Sequence, residues 1–257
     1  MLSGKTAFIT GASQNIGRRI ALVFAEHGAN VAVAARSDGI YETAELIDDP
    51  DRVLPVQVDL TDDEAVRDAI EETAETFGGI DVLVNNAGVP GPTSPIEETG
   101  IDEWEHVLDV NLLGQVRTVK AAVPHLRESD AGRIINISST AAKDVVPTKS
   151  PYNTSKSSVI GLTRSLAVEL GPDDITVNAV CPGATQGERI ERSISQQAES
   201  MGVSFEEAKE KLFTGDAALG TLIEQRDTAA AVAFLASDEA RYISGQDINV
   251  DAGACFE

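Results

Sequence analysis

Seven short apolar runs punctuate the chain, at residues 5–10, 30–35, 53–59, 81–86, 133–138, 176–180 and 246–251. Between most of them lie longer stretches in which apolar positions recur every three or four residues, the period of a helix with one buried face. Runs that are apolar throughout read as strands covered on both sides. Strand and helix in regular alternation predict an α/β fold, with one doubly wound parallel sheet of about seven strands and helices on both faces. Nothing in residues 1–257 marks a second domain. Thr61-Asp62-Asp63-Glu64 reads as a capping box opening one helix, and Ser204 with Glu207 as another. Pro55 removes a ladder donor from the third run, which places that strand at an edge of the sheet, as the strand order 3-2-1-4 allows.

Charge narrows the partners. Forty-two acidic residues against twenty basic ones give −22, which repels nucleic-acid phosphates and anionic membrane surfaces. The acids are spread along the chain and arginine outnumbers lysine. Such a surface is similar to that of halophilic proteins, in which salt screens self-repulsion; an ordinary acidic cytoplasmic protein is the other reading, and loss of stability at low salt separates the two. The opening residues MLSGKTAFIT show no basic leader with an apolar stretch, and no window holds the roughly 18 apolar residues of a spanning helix. A soluble, cytoplasmic protein without membrane contact is expected. Cys181 and Cys255 lie far apart, and His27, His106 and His125 are scattered, so neither a disulfide framework nor a metal site is indicated.

Two stretches carry chemistry. Thr10-Gly11-Ala12-Ser13-Gln14-Asn15-Ile16-Gly17 joins the first strand to a helix. A small-residue turn at a helix N-terminus gathers backbone N–H groups and suits a pyrophosphate, although glycines also serve tight turns alone. Tyr152 stands four residues before Lys156 in SPYNTSKSS, so on a helix the phenol and the ammonium share a face. That spacing fits either a chemical device or a solvated helix start.

Further motifs follow in order: Asn85-Asn86-Ala87-Gly88 after the fourth strand, Asn111 within a helix beginning near Asp102, and Ser138-Ser139 ending the fifth strand. Together with Tyr152 and Lys156 the sequence resembles the short-chain dehydrogenase/reductase family, the type with a TGxxxGxG loop, an NNAG strand end and a YxxxK pair. The resemblance covers essentially the whole chain and implies a Rossmann-type sheet, a nicotinamide cofactor and hydride transfer at a CH–OH carbon. It makes Tyr152 the proton donor or acceptor, Lys156 the cation that favours its phenolate, Ser139 the holder of the substrate oxygen, and Asn111 the support of a water that relays protons to Lys156. A phenol of ordinary pKa, about 10, needs roughly 4 kcal/mol of phenolate stabilisation to work near neutrality, and a neighbouring ammonium supplies part of it. The serine is assigned to Ser139 rather than Ser138 because the family's serine commonly stands thirteen positions before the tyrosine.

The same resemblance assigns the cofactor contacts. Gly11, Ser13, Gln14, Asn15, Ile16 and Gly17 form the phosphate loop, Asp59 and Leu60 border the adenine, and Asn86, Ala87 and Gly88 line the cofactor channel with Tyr152 and Lys156. Pro182, Gly183 and Thr185 follow the sixth strand. NAD-specific members usually end the second strand with an acidic residue; here Ala35 and Arg36 stand there, so NADP(H) is favoured over NAD(H), with the guanidinium meeting a 2′-phosphate. Gln14 stands where many NADP(H) users have a second basic residue, for which Arg18 or Arg19 would have to compensate.

Three positions depart from the family pattern. Asn15 replaces the middle glycine of the loop, which asparagine's tolerance of the left-handed region makes mild. Gly187 stands where many relatives have a carboxamide-contacting threonine, a contact transferred to Thr185. Ala252 makes VDAG of the commoner VDGG. A substrate lid is expected over about 184–215, polar with Gln186, Glu188, Arg189, Glu191 and Arg192. It suits a small polar alcohol or ketone such as a polyol, sugar or sugar acid, with Arg189 or Lys149 available to a carboxylate. The alternative is a 3-oxoacyl-thioester reductase. Family members are mostly homotetramers, some dimers, built on helices that here run near 102–125 and 152–170. A binding protein without turnover is the third reading, which the presence of both Tyr152 and Lys156 disfavours.

Overall fold

The structure, a computed structural model, describes residues 1–256, the side chain of Arg189 excepted. Seven parallel strands form its sheet among the described residues: β1 (Thr6–Thr10), β2 (Asn30–Ala35), β3 (Val53–Gln57), β4 (Val82–Asn85), β5 (Arg133–Ile137), β6 (Thr176–Pro182) and β7 (Asp247–Val250). Their order is β3-β2-β1-β4-β5-β6-β7. The helices are α1 (Asn15–Glu26), α2 (Gly39–Glu45), α3 (Asp63–Phe77), α4 (Ile101–Leu108), α5 (Gly114–Glu128), α6 (Ser150–Leu170), α7 (Glu188–Met201), α8 (Phe205–Lys209) and α9 (Gln225–Leu235).

Alternation along each strand sends side chains into two separate cores. Ile9, Val33 and Ile135 meet Ile20 and Phe24 of α1 and Val232 and Leu235 of α9 on one face. Phe8, Leu83 and Ile134 meet Val66 and Ile70 of α3, Val119 and Leu126 of α5 and Leu170 of α6 on the other. The sheet is therefore covered on both sides, as the unbroken apolar runs require. Pro55 lies on β3 in register with Val33, at the edge, where its missing donor faces no further strand.

The local signals are met with shifts that have visible causes. Asp62, not Thr61, caps α3: its Oδ1 accepts from the N–H groups of Glu64 and Ala65 at 2.9 and 3.1 Å. The Thr61 hydroxyl donates instead to Asp59 Oδ1 at 2.8 Å, which moves the helix start by one residue. Ser204 and Glu207 form the expected box. The sixth strand runs on to Pro182 because Cys181 and Pro182 find partners in Asn249 and Val250 of β7. The helix expected from Asp102 begins at Ile101 and is broken by a π-helical turn at Asp109–Leu113 before continuing as α5. Beyond β6, α7 and α8 close on a small core of their own, Ile194, Ala198, Ala208 and Leu222.

Candidate active site

All the motif residues sit at the C-terminal ends of the strands, around the gap between β1 and β4 where the strand order reverses, the usual ligand crevice of such sheets. The first loop is shaped by two close approaches. Gly11 has φ +65°, and a Cβ on it would fall 2.8 Å from Ala87 Cα, so neither its conformation nor its space admits a side chain. Asn86 ties the same turn from the β4 side, donating through Nδ2 to the Thr10 and Gly11 carbonyls at 3.0 and 3.1 Å. The Thr10 hydroxyl accepts from the Asn86 and Ala87 N–H groups at 2.9 and 3.1 Å. The loop motif alone gives Thr10 no role; its hydroxyl on the last residue of β1 is the signal for this one. Asn15 takes φ 51°, in the left-handed region that asparagine tolerates better than most residues.

The N-terminus of α1 has no side-chain cap: Gln14 makes no capping bond, and no acidic residue stands in the first turn. These free amides fit a pyrophosphate, and Ile16, Ser13 and Gly17 lie around them. Arg18 does face the loop, donating to the Ser13 carbonyl at 2.6 Å, but Glu42 pairs with it at 2.9 Å and Thr43 accepts from its Nε. It braces the loop against α2. Arg36, immediately after β2, is more than half exposed and 3.7 Å from Asp59. The Asp59 carboxyl is held below the ordinary aspartate range, first by the Thr61 N–H bond, and also by the Thr61 hydroxyl and the Arg36 charge against an opposing burial effect. Leu60 beside it is buried against Gly114.

Pro151 in the first turn starts α6 with a pre-set φ, so Tyr152 and Lys156 rise on the same face. Lys156 is buried, its Nζ 2.9 Å from the Ile137 carbonyl and 5.9 Å from the centre of the Tyr152 ring. Ser138 is buried too and donates to the Lys156 carbonyl at 2.8 Å, whereas Ser139 is half-buried and caps the short turn Thr140–Ala142. Of the two, only Ser139 is partly exposed. A Cβ on Gly88 would lie 3.2 Å from Asn111 Oδ1 and 3.4 Å from Lys156 Nζ, so the end of the NNAG motif meets both.

Asn111 sits within the π-helical turn. Its side chain is fully buried and committed: Oδ1 accepts from the Val89 N–H at 2.7 Å, and Nδ2 donates to the Val89 carbonyl and Ser155 Oγ at 3.0 Å each. The amide fastens the segment after β4 to α6. Gly183 packs on Asp251, and Pro182 accepts from the Thr140 hydroxyl. Thr185 donates to the Gly183 carbonyl at 3.0 Å and pairs with Ile223. Gly187 has φ 146°, where a threonine would be strained, and a Cβ on it would lie 3.8 Å from Asn15 Oδ1. The turn after β6 thus closes against the first loop. Arg189, one of the two residues assigned to a substrate carboxylate, has a side chain outside the described residues; Lys149 directly precedes α6. Among the described residues no group of three or more His, Cys, Asp or Glu could hold a metal, and no helix is long and apolar enough to cross a membrane.

A loop shaped for phosphates beside a tyrosine and a lysine on one helix face is equipped to bind a nicotinamide dinucleotide and to move a proton next to it. Known proteins with the same layout agree. A family model described as enoyl-(acyl carrier protein) reductase matches residues 11–255. The chain is 38% identical to the 3-oxoacyl-[acyl-carrier-protein] reductase FabG of Staphylococcus aureus over 97% of both chains. It is 32% identical to the D-beta-hydroxybutyrate dehydrogenase of Cupriavidus necator, covering 98% of each. An NAD⁺-bound xylitol dehydrogenase structure superposes with a TM-score of 0.91 at 28% identity, over 98% of this chain and 99% of the other. Relationship over this extent leaves one assignment: the chain belongs to the short-chain dehydrogenase/reductase family, as an NAD(P)-dependent oxidoreductase of CH–OH groups.

Proposed function

We propose that the protein is an NADP(H)-preferring reductase or dehydrogenase of a small polar alcohol or ketone, a polyol, sugar or sugar acid. The observation that carries the reaction is Lys156, buried with its ammonium beside the Tyr152 ring and one strand end from Ser139. The nicotinamide supplies the hydride when bound. Tyr152 Oη gives its proton to the carbonyl oxygen in the reducing direction and takes it back from the alcohol in the other. Lys156 offsets the phenolate charge, and Ser139 Oγ donates to the substrate oxygen. Asn111 keeps Val89 and Ser155 in place around the lysine and serves proton relay through its main chain.

The preference for NADP(H) is supported by Arg36, exposed where the second strand ends, with Asp59 as its present partner. A 2′-phosphate would replace a single 3.7 Å ion pair with a doubly charged acceptor. The polar residues of the segment after β6, Gln186, Glu188, Glu191 and Arg192, support a polar substrate if that segment serves as the lid, and Lys149 suits a carboxylate. The second reading, a 3-oxoacyl-thioester reductase, is favoured by Val145 and Val146, which stand exposed on the segment between Ser139 and Tyr152, and by the kinship with FabG. We further read the assembly as a cytoplasmic homotetramer in a salty milieu, supported by exposed Val168 on α6 and Tyr242 before β7 and by the charge of −22.

Nicotinamide absorbance with NADP⁺ and NAD⁺ against polyols, aldoses, sugar acids and 3-hydroxyacyl thioesters, in low and multimolar KCl, tests this. Turnover of a sugar or polyol with NADP⁺, lost in Tyr152→Phe while nucleotide still binds, is the expected result. Turnover of thioesters alone replaces the first reading with the second.

A further inference from the structure

Lys143 is a largely enclosed cation that the chemistry above does not use. Its side chain is 10% exposed, and its three N–H groups are all engaged: with Asp247 Oδ2 at 2.7 Å, the Asp247 carbonyl at 3.1 Å and Asn249 Oδ1 at 2.8 Å. Arg164 of α6 takes the other Asp247 oxygen at 2.8 Å. Burial alone would raise the Asp247 carboxyl, but its bonds to Lys143 and Arg164 outweigh that and hold it below the ordinary range.

A largely buried ion pair is a weak device for stability, since an apolar pair of the same size is often as stable. Its location offers another use. Lys143 closes the turn that Ser139 caps: its N–H donates to the Thr140 carbonyl at 2.9 Å, and the Ser139 hydroxyl accepts from Ala141 N–H at 3.2 Å. From the other side, Ser157 of α6 donates to the Ala142 carbonyl at 3.0 Å. The serine turn is therefore held between the helix that carries Tyr152 and the edge strand β7. We propose that Lys143, through Asp247 and Asn249, is a positioning residue that sets where Ser139 Oγ stands relative to Tyr152. This rests on the catalytic reading of Ser139 given above.

The test is a double-mutant cycle with the substrate that the panel turns over best. Lys143→Met should lower kcat about tenfold, the scale of a sub-ångström misplacement, with KM for the nucleotide within about twofold. In a Ser139→Ala background the same substitution should lower kcat no further, because the group it positions is gone. Lys143→Arg should restore most of the loss. Losses that multiply in the double variant overturn the proposal and leave Lys143 a structural ion pair. A Ser139→Ala enzyme with unchanged kcat instead removes the serine's role, and this inference falls with it. A crystal structure of Lys143→Met gives a readout independent of substrate: Ser139 Oγ should move relative to Tyr152 Oη, and an unmoved hydroxyl overturns the proposal. If Lys143→Met does not fold, Asp247→Asn should give the same pattern at smaller size.

Discussion

At the scale of single residues, two departures from the family pattern lead to opposite consequences. Asn15 sits at φ 51° with little strain, since its short polar side chain suits the left-handed region. Ala252 sits at φ 59° without that compensation, at a turn whose carbonyls accept from Ala218 and Leu219. An alanine there costs about 1–2 kcal/mol, and glycine would return part of it as unfolded-state entropy. Ala252→Gly should therefore stabilise the protein by about 0.5–1 kcal/mol in urea titration, and an unchanged or lower midpoint would show that the turn relaxes by other means. Arg36 is a residue-scale prediction of function. Arg36→Ala should raise KM for NADPH about tenfold, the worth of one charge-assisted contact, and leave KM for NADH nearly unchanged. Equal effects on both nucleotides would remove the phosphate reading.

Between elements, a buried polar chain joins the layers beneath the site. Thr118 of α5 donates to Asn85 Oδ1 at 2.6 Å, Asn85 Nδ2 to Asn136 Oδ1 at 3.0 Å, and Asn136 Nδ2 to Thr163 of α6 at 2.9 Å. It crosses β4 and β5 and fixes α5 and α6 in relation to the NNAG strand end. Asn136→Leu would leave the Asn85 amide and the Thr163 hydroxyl without these partners in a dry interior. A loss of about 2–4 kcal/mol is expected, read by denaturant unfolding; a loss under about 1 kcal/mol would mean that water reaches the gap. This chain of bonds also marks the boundary of what sequence could reveal. Strand placement, the edge position of Pro55 and the Tyr152–Lys156 face follow from local pattern, because period and spacing are local. The Asn85–Asn136 bond, the capture of the Asn111 amide by Val89 and Ser155, and the hold of Lys143 on β7 join residues between 22 and 106 positions apart. No periodicity encodes those pairings; they exist only once the sheet order is set. Asn111 is the clearest case, since its motif names the residue but not the Val89 and Ser155 bonds that hold its amide.

For the molecule as a whole, charge is the dominant property, and its effect on stability has a sign and a shape. Forty-two acidic residues and twenty basic ones leave −22, and the acids crowd the outer faces: Glu64, Asp68, Glu71, Glu72 and Glu75 of α3 are all exposed. Unfolding separates these charges, so their repulsion opposes the folded state, and salt that screens it should raise Tm. Screening weakens with the Debye length, which shrinks from about 30 Å at 0.01 M to about 3 Å at 1 M. Beyond that range little repulsion remains to remove. Thermal melts in KCl should therefore rise steeply up to about 1 M and then flatten. A rise that stays linear to several molar would point to strengthened apolar burial by excluded salt instead. A flat curve throughout would show that the acids are far enough apart to be neutral toward folding, and the salty-milieu reading would fall with it.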